Sequence, residues 1–281
     1  MKFRTTFFIA VFLFMASSAQ AKLSDKLSIT CTIFPVYDFT REITKGLADV
    51  KLLIRGEVHE YEPSPMDIKA LNDSDIFIFT NKNLEQWTER ISHALTHTAV
   101  VDASENITLY DNDPHIWLDM TLAEIMTRNI VNALCTADSE HADEFRANAE
   151  DFMRRLSELD SKFMALHKKQ KKDKVLVFAG EFSYGYFIRR YDFDYVSAYE
   201  GENEPSVRRM AEVMKYIRDN HTQYIFTDSN GISRITNEIA NETGASILTF
   251  STAHSVMSDE MTFLEIMNEN YSNIARAMMN D

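Results

Sequence analysis

Eight short apolar runs, separated by helix-like stretches and arranged in two series, constrain this chain's fold more than any other feature. The first series is 27–34, 50–55, 75–80 and 99–102, with helical patterns near 36–47, 65–72 and 84–96. The second begins at Lys174, with strands at 174–179, 194–199, 223–227 and 246–250. Its helices fall near 183–191, 205–220, 231–243 and 259–280. Short buried strands joined by helical connections form parallel sheets with helices on both faces. The expected fold is therefore α/β. It has two lobes, each a parallel sheet of about four strands flanked by helices.

Between the series, Phe145, Ala149, Phe152, Leu156, Leu159, Phe163 and Leu166 recur at alternating spacings of four and three. They form one stripe of a helix. Acidic residues from Asp138 to Glu144 precede the stripe and lysines from Lys168 to Lys174 follow it, which suits the helix macrodipole. A helix over about 138–171 would be roughly 50 Å long and could join the two lobes. The stripe covers about three heptads, which favours packing on the chain's own lobes, as a monomer, over a coiled-coil dimer. The expected organisation is an N-terminal lobe over 22–136, a linking helix over 137–172 and a C-terminal lobe over 173–281.

The first 21 residues read as a signal peptide. Lys2 and Arg4 precede an apolar run from Phe7 to Met15, and Ser17–Ala21 supplies the small-x-small pattern of a cleavage site. Cleavage is expected after Ala21, giving an exported, periplasmic protein. The run is too short to span a bilayer and no later run is longer, so stable membrane insertion is not expected. No cysteine stands at the cleavage point to carry a lipid. Export would let Cys31 and Cys135 oxidise, but spacing alone does not decide between a bridge and two thiols.

Composition narrows the function. Seven glycines, against about 20 for an average chain of this length, leave no glycine-rich phosphate loop. The formal charge of −14 argues against nucleic acid, whose phosphates require a basic footprint. No G-x-S-x-G nucleophile elbow and no H-E-x-x-H occur.

In open α/β sheets, ligands bind beyond the carboxyl ends of the strands. Four residues meet that condition. His59 follows strand 50–55, His115 follows 99–102, Glu181 follows 174–179 and His254 follows 246–250. Three imidazoles and a carboxylate suit a transition-metal ion. Each also has an ordinary reading, as a loop histidine, a hydrogen-bonded core residue or an exposed carboxylate, and no local spacing joins them. His93 and His97 read as an exposed helix face, and His141, His167 and His221 as solvated surface. The fourteen methionines read as core filler rather than as copper ligands.

Several of these residues lie in recognisable motifs. They are Phe34-Pro35-Val36-Tyr37-Asp38-Phe39, His59-Glu60-Tyr61-Glu62-Pro63-Ser64-Pro65, Pro114-His115-Ile116-Trp117-Leu118-Asp119 and Glu181-Phe182-Ser183-Tyr184-Gly185-Tyr186-Phe187. Glu204-Pro205-Ser206, Glu242-Thr243-Gly244-Ala245 and Ala253-His254-Ser255-Val256 follow in order. The chain resembles the periplasmic solute-binding proteins of zinc and manganese ABC transporters across nearly its whole exported length.

The resemblance implies a cleft between two α/β lobes joined by a long helix, holding one divalent ion. Carried over by position, its ligands are His59, His115, Glu181 and His254. It also implies delivery of the ion to a membrane permease driven by an ATPase. Zinc members commonly have His where Glu181 stands and manganese-type members tend to have Glu there, whereas manganese-type members tend to have Asp where His254 stands. The mixed set favours Zn2+, with Mn2+ or Fe2+ as alternatives. Four protein ligands close the shell, whereas catalytic zinc keeps an open position for water, so no enzyme is expected. Asp119 and Glu204 are candidate partners for a ligand's N–H, with ordinary surface carboxylates as the equal alternative. The rival readings are a secreted metallohydrolase using the same cleft and an adhesin or organic-solute binder on the same scaffold.

Overall fold

The computed structural model describes residues 26–110, 113–169, 174–180, 182–199, 204–228, 231–255 and 261–279. Residues 1–21, read above as a signal peptide, and Glu181 lie outside the described residues.

Hydrophobic runs become two four-stranded parallel sheets. The first contains β1 (Ser28–Cys31), β2 (Asp49–Leu52), β3 (Ile76–Phe79) and β4 (Ala99–Asp102) in the order β2-β1-β3-β4. The second contains β5 (Leu176–Phe178), β6 (Tyr195–Ser197), β7 (Tyr224–Thr227) and β8 (Ser246–Thr249) in the order β6-β5-β7-β8. Both lobes therefore use one permutation, and every pairing is parallel.

In the first lobe, α1 (Phe34–Thr44), α2 (Pro65–Asn72) and α3 (Trp87–Ser92) connect the strands. The first strand stops at Cys31, short of the expected 34, because Pro35 in the first turn of α1 favours helix there. The expected helix over 84–96 shrinks to α3. Beyond it, Ala94 N bonds Ile91 O and Leu95 N bonds Ser92 O, so the segment continues in tight turns. A 3₁₀ turn (Ile116–Leu118) then leads into α4 (Met120–Ala137).

The linking helix, α5 (Ala142–Lys169), has 28 residues and is about 42 Å long. It starts later than expected because Asp138 stops α4 and accepts both the backbone N (3.3 Å) and Nδ1 (2.7 Å) of His141. All seven stripe residues are buried. They face α1 and α4 on one side of the molecule, and α6 (Gly185–Tyr191) and α9 (Phe263–Met279) on the other. Ion pairs reinforce both contacts. Arg155 Nη2 reaches Glu42 of α1 at 2.5 Å, and Arg190 of α6 grips both oxygens of Asp160 at 2.9 and 2.6 Å.

In the second lobe, α7 (Val207–Asp219) and α8 (Arg234–Thr243) cover one face of the sheet. Helix α9 returns to the first lobe. Asp38 of α1 caps its start, Oδ2 accepting Phe263 N at 2.8 Å, and burial pushes the Asp38 carboxyl up to about 6. Both cysteines are free thiols: Cys31 is buried against Thr40, and Cys135 contacts Ala142 O. Among the described residues no helix is long and apolar enough to cross a membrane.

Candidate metal centre

His59 sits on the 53–64 loop, which is fixed at both ends. Ile54 and Val58 are buried. Ser64 forms a capping box with Asp67 at the start of α2, where Pro65 also stands. The His59 side chain itself is exposed. Its backbone N–H donates to Glu57 Oε1 at 2.9 Å. That bond holds the Glu57 carboxyl below its ordinary range.

His115 ends the segment between β4 and the 3₁₀ turn and is only 4% exposed. Asp113 Oδ1 accepts both its backbone N (3.0 Å) and its ring Nδ1 (2.8 Å). Directing Nδ1–H at a carboxylate leaves the lone pair on Nε2. That nitrogen is buried with no hydrogen-bond partner among the described residues. Behind the segment, Asn81 Nδ2 donates to Pro114 O at 2.8 Å. The turn carrying Asn81 is held by buried Glu85, which accepts from Thr32 Oγ1, Thr80 N and Asn81 N. Desolvation nevertheless pushes Glu85 up to about 7.

The second lobe also closes on this arrangement at a glycine. A Cβ on Gly185 would lie 2.6 Å from Asp113 Oδ2, so the start of α6 approaches the carboxylate that orients His115 more closely than any larger residue allows. Gly185→Ala should therefore turn Asp113 and misdirect His115. The expected loss is about 10–100-fold in zinc affinity, the range for disturbing a ligand's orienting partner. Chelator competition would measure it, and unchanged affinity would rule out this coupling.

His254 lies past β8, half-buried. Its Nδ1 is 2.5 Å from Thr252 Oγ1, and that hydroxyl donates to Asp228 Oδ2 at 2.8 Å. Burial pushes the imidazolium down to about 4, helped by His115 and His59 and opposed by Asp228. The ring is thus neutral above about pH 4, the state in which an imidazole nitrogen is free to bind a metal.

These three histidines converge although 195 positions separate the first from the last. One ligand nitrogen from each lies within 4.8 Å of the other two. Ring centroids are 5.5 Å apart for His59–His115, 5.7 Å for His59–His254 and 6.2 Å for His115–His254. An ion at the centre of a 4.8 Å triangle would lie at most about 2.8 Å from each nitrogen, against ~2.0–2.1 Å in zinc–imidazole bonds, so small ring rotations complete the fit. An open groove of about 660 Å3, lined by His59, Glu57, Glu60 and Glu62, adjoins the exposed side. Burial thus increases from His59 at the rim, through His254, to His115 at the floor.

The other expected residues are placed as follows. Asp119 does not orient a histidine: its Oδ1 caps α4 through Thr121 and Leu122 and lies 3.7 Å from Arg190. An acidic residue immediately before a helical run is an N-cap signal, and that local role prevails. Glu204 lines a separate groove with Arg208, Arg209 and Glu212. His93, His97 and His221 are exposed as expected. His167 is not a solvated residue, because its ring packs on Phe193 and its Nδ1 is buried. Asp113, Thr252 and Asp228 were missed, although an Asp two residues before His115 fits an Asx turn.

Comparisons with known proteins place the chain in a family. Residues 29–277 match the family described as ZnuA, the periplasmic component A of a zinc-uptake complex. The chain belongs to this family. The high-affinity zinc uptake system protein ZnuA of Bacillus subtilis is 26% identical over 282 residues, spanning 90% of this chain and 88% of that protein. The zinc-binding lipoprotein AdcA of Streptococcus pneumoniae is 29% identical over 260 residues, spanning 84% of this chain. The chain spans about half of AdcA's length (51%). The crystal structure of the Zn(II)-bound ZnuA-like domain of that AdcA superposes with a TM-score of 0.79 at 25% identity, covering 91% of this chain and 100% of the domain. The family's two-lobe fold is the one seen here. None of these relatives is described as a hydrolase, so the metallohydrolase reading has no support among them.

Proposed function

We propose that this protein is the extracytoplasmic capture component of an ABC importer for a divalent transition metal, with Zn2+ as its cargo. The observation that carries the reading is the approach of three imidazole nitrogens from distant segments to within 4.8 Å. Membership of a zinc-uptake family supports the choice of metal. His59, His115 and His254 would bind through nitrogen and Glu181 through oxygen, a set that suits tetrahedral zinc. Four protein ligands leave no position for an activated water, so capture rather than catalysis follows. The protein would be exported, with its signal peptide cleaved after Ala21, and hand its ion, as a monomer, to a membrane permease.

Protein purified without chelator or affinity tag should carry close to one zinc per chain. Adding zinc to the stripped protein should raise its melting temperature more than adding manganese at equal concentration. Native-state binding stabilises by RT ln(1 + [L]/Kd), about 4 kcal/mol at a thousandfold excess over Kd. An equal or larger shift with manganese would overturn the choice of zinc, and no shift with either would overturn the function.

A further inference from the structure

Thr252 stands at a junction that neither the sequence motifs nor the family relationship accounts for. It is buried, on the turn between β8 and His254, and Ala253 beside it holds the left-handed conformation (φ 58°) without being glycine. Such a residue persists only where its surroundings over-determine it. Three contacts fix the turn. Thr252 N donates to Asp228 Oδ2 at 3.0 Å, and Thr252 Oγ1 donates to the same oxygen at 2.8 Å. Thr252 O accepts from Trp117 Nε1 at 2.6 Å. Trp117 is buried, two residues beyond His115, and its ring lies edge-on to the His115 ring at 5.3 Å.

Counting protons gives the direction of the remaining contact, between Thr252 Oγ1 and His254 Nδ1 at 2.5 Å. Two hydrogen bonds link the imidazole, the hydroxyl and the carboxylate, and each needs one proton. An ionised carboxylate supplies none, and the hydroxyl supplies one, which goes to Asp228. The second proton must therefore sit on His254 Nδ1, which places the lone pair on Nε2. His115 reaches the same state directly through Asp113; His254 reaches it through a hydroxyl.

We infer that Thr252 is a positioning residue for metal capture, with two roles. Its hydroxyl, anchored by Asp228, fixes the His254 tautomer that presents Nε2 to the ion. Its carbonyl, held by Trp117, sets the position of His254 against His115 across the two lobes. A loop that simply placed a histidine would leave its tautomer to solvent; here the choice is built into buried groups of the second lobe. This inference rests on the proposal that His254 is a ligand.

The test begins with the metal-free, unsubstituted protein. Long-range 15N–1H correlation spectra of histidine-labelled protein should show His254 as the Nδ1–H tautomer; the Nε2–H form would overturn the inference whatever any variant does. Thr252→Val keeps the shape and removes the hydroxyl. It should leave His254 as a mixture of tautomers and weaken zinc binding about 10–100-fold, read by chelator competition, while Thr252→Ser restores both readouts. Trp117→Phe should weaken zinc binding and leave the tautomer unchanged, because it removes the bond to Thr252 O and keeps the Thr252 hydroxyl and Asp228 in place. Weak binding with an unchanged tautomer in Thr252→Val would show a merely structural role and overturn the hydroxyl's part in fixing the tautomer. His254→Ala separates the two levels. If it binds zinc as the unsubstituted protein does, the ligand assignment falls; if it binds weakly while Thr252→Val binds normally, only the positioning role falls.

Discussion

Zinc affinity should fall by more than about 100-fold in His115→Ala, exceeding the roughly 10–100-fold that follows from disturbing a ligand's orienting partner. Among the three histidines, His115 is the most buried, and its Nε2 has no partner among the described residues. A buried polar atom without a hydrogen bond is a liability in any fold. An ion at that position would remove it. His115 is also the best braced of the three, with Asp113 on Nδ1 and Asn81 on the preceding carbonyl. Its truncation deletes a prearranged bond rather than one that must still be organised. His59, exposed on its loop, should give a smaller loss. Isothermal titration or competition with a chromophoric chelator would order the two variants. Equal binding by His115→Ala and the unsubstituted protein would overturn the centre described here.

The largest expected effect on stability lies far from that centre. Phe163→Ala should destabilise the protein by about 3–5 kcal/mol and lower its melting temperature by roughly 10 °C. Phe163 is fully buried on the stripe of α5, and its ring meets Phe187 at 5.1 Å, Tyr191 at 5.0 Å and Tyr271 at 5.5 Å. Those partners belong to α6 and α9, so one side chain joins three helices. Truncation would leave a cavity that no single element can close by shifting. Calorimetric unfolding of the metal-free protein would measure the loss, and a drop below 1 kcal/mol would show that the junction collapses freely.

The stripe through Phe163 was legible in the sequence because helical periodicity is local. So was the alternation of strands and helices, since each short apolar run is bounded by polar turns. The histidines were legible for a different reason: parallel strands place their following loops on one edge, so His59, His115 and His254 are gathered by topology. What surrounds them was not. Trp117 and Thr252 are 135 positions apart, and nothing near either announces the other. Gly185 is ordinary in sequence, and its need for a hydrogen side chain appears only once Asp113 of the other lobe stands beside it. Asp119 shows the converse case: a carboxylate that could be read either as a ligand's partner or as a surface group is taken by a helix start.

The distribution of apolar contacts divides the molecule differently from its two sheets. One continuous core runs from Ile29 and Phe39 through the α5 stripe to Phe178, Phe187 and α9. A smaller, separate core joins Val177, Ala179 and Ile225 to α7 and α8. Two lobes therefore do not amount to two folding units. The cooperative boundary passes through the second sheet rather than between the sheets, leaving only the α7–α8 layer able to detach by itself. Amide exchange should report that layer as the first to open, at a free energy below that of global unfolding. Separating the halves within α5 would leave each with an exposed share of a core that exists only when both are present.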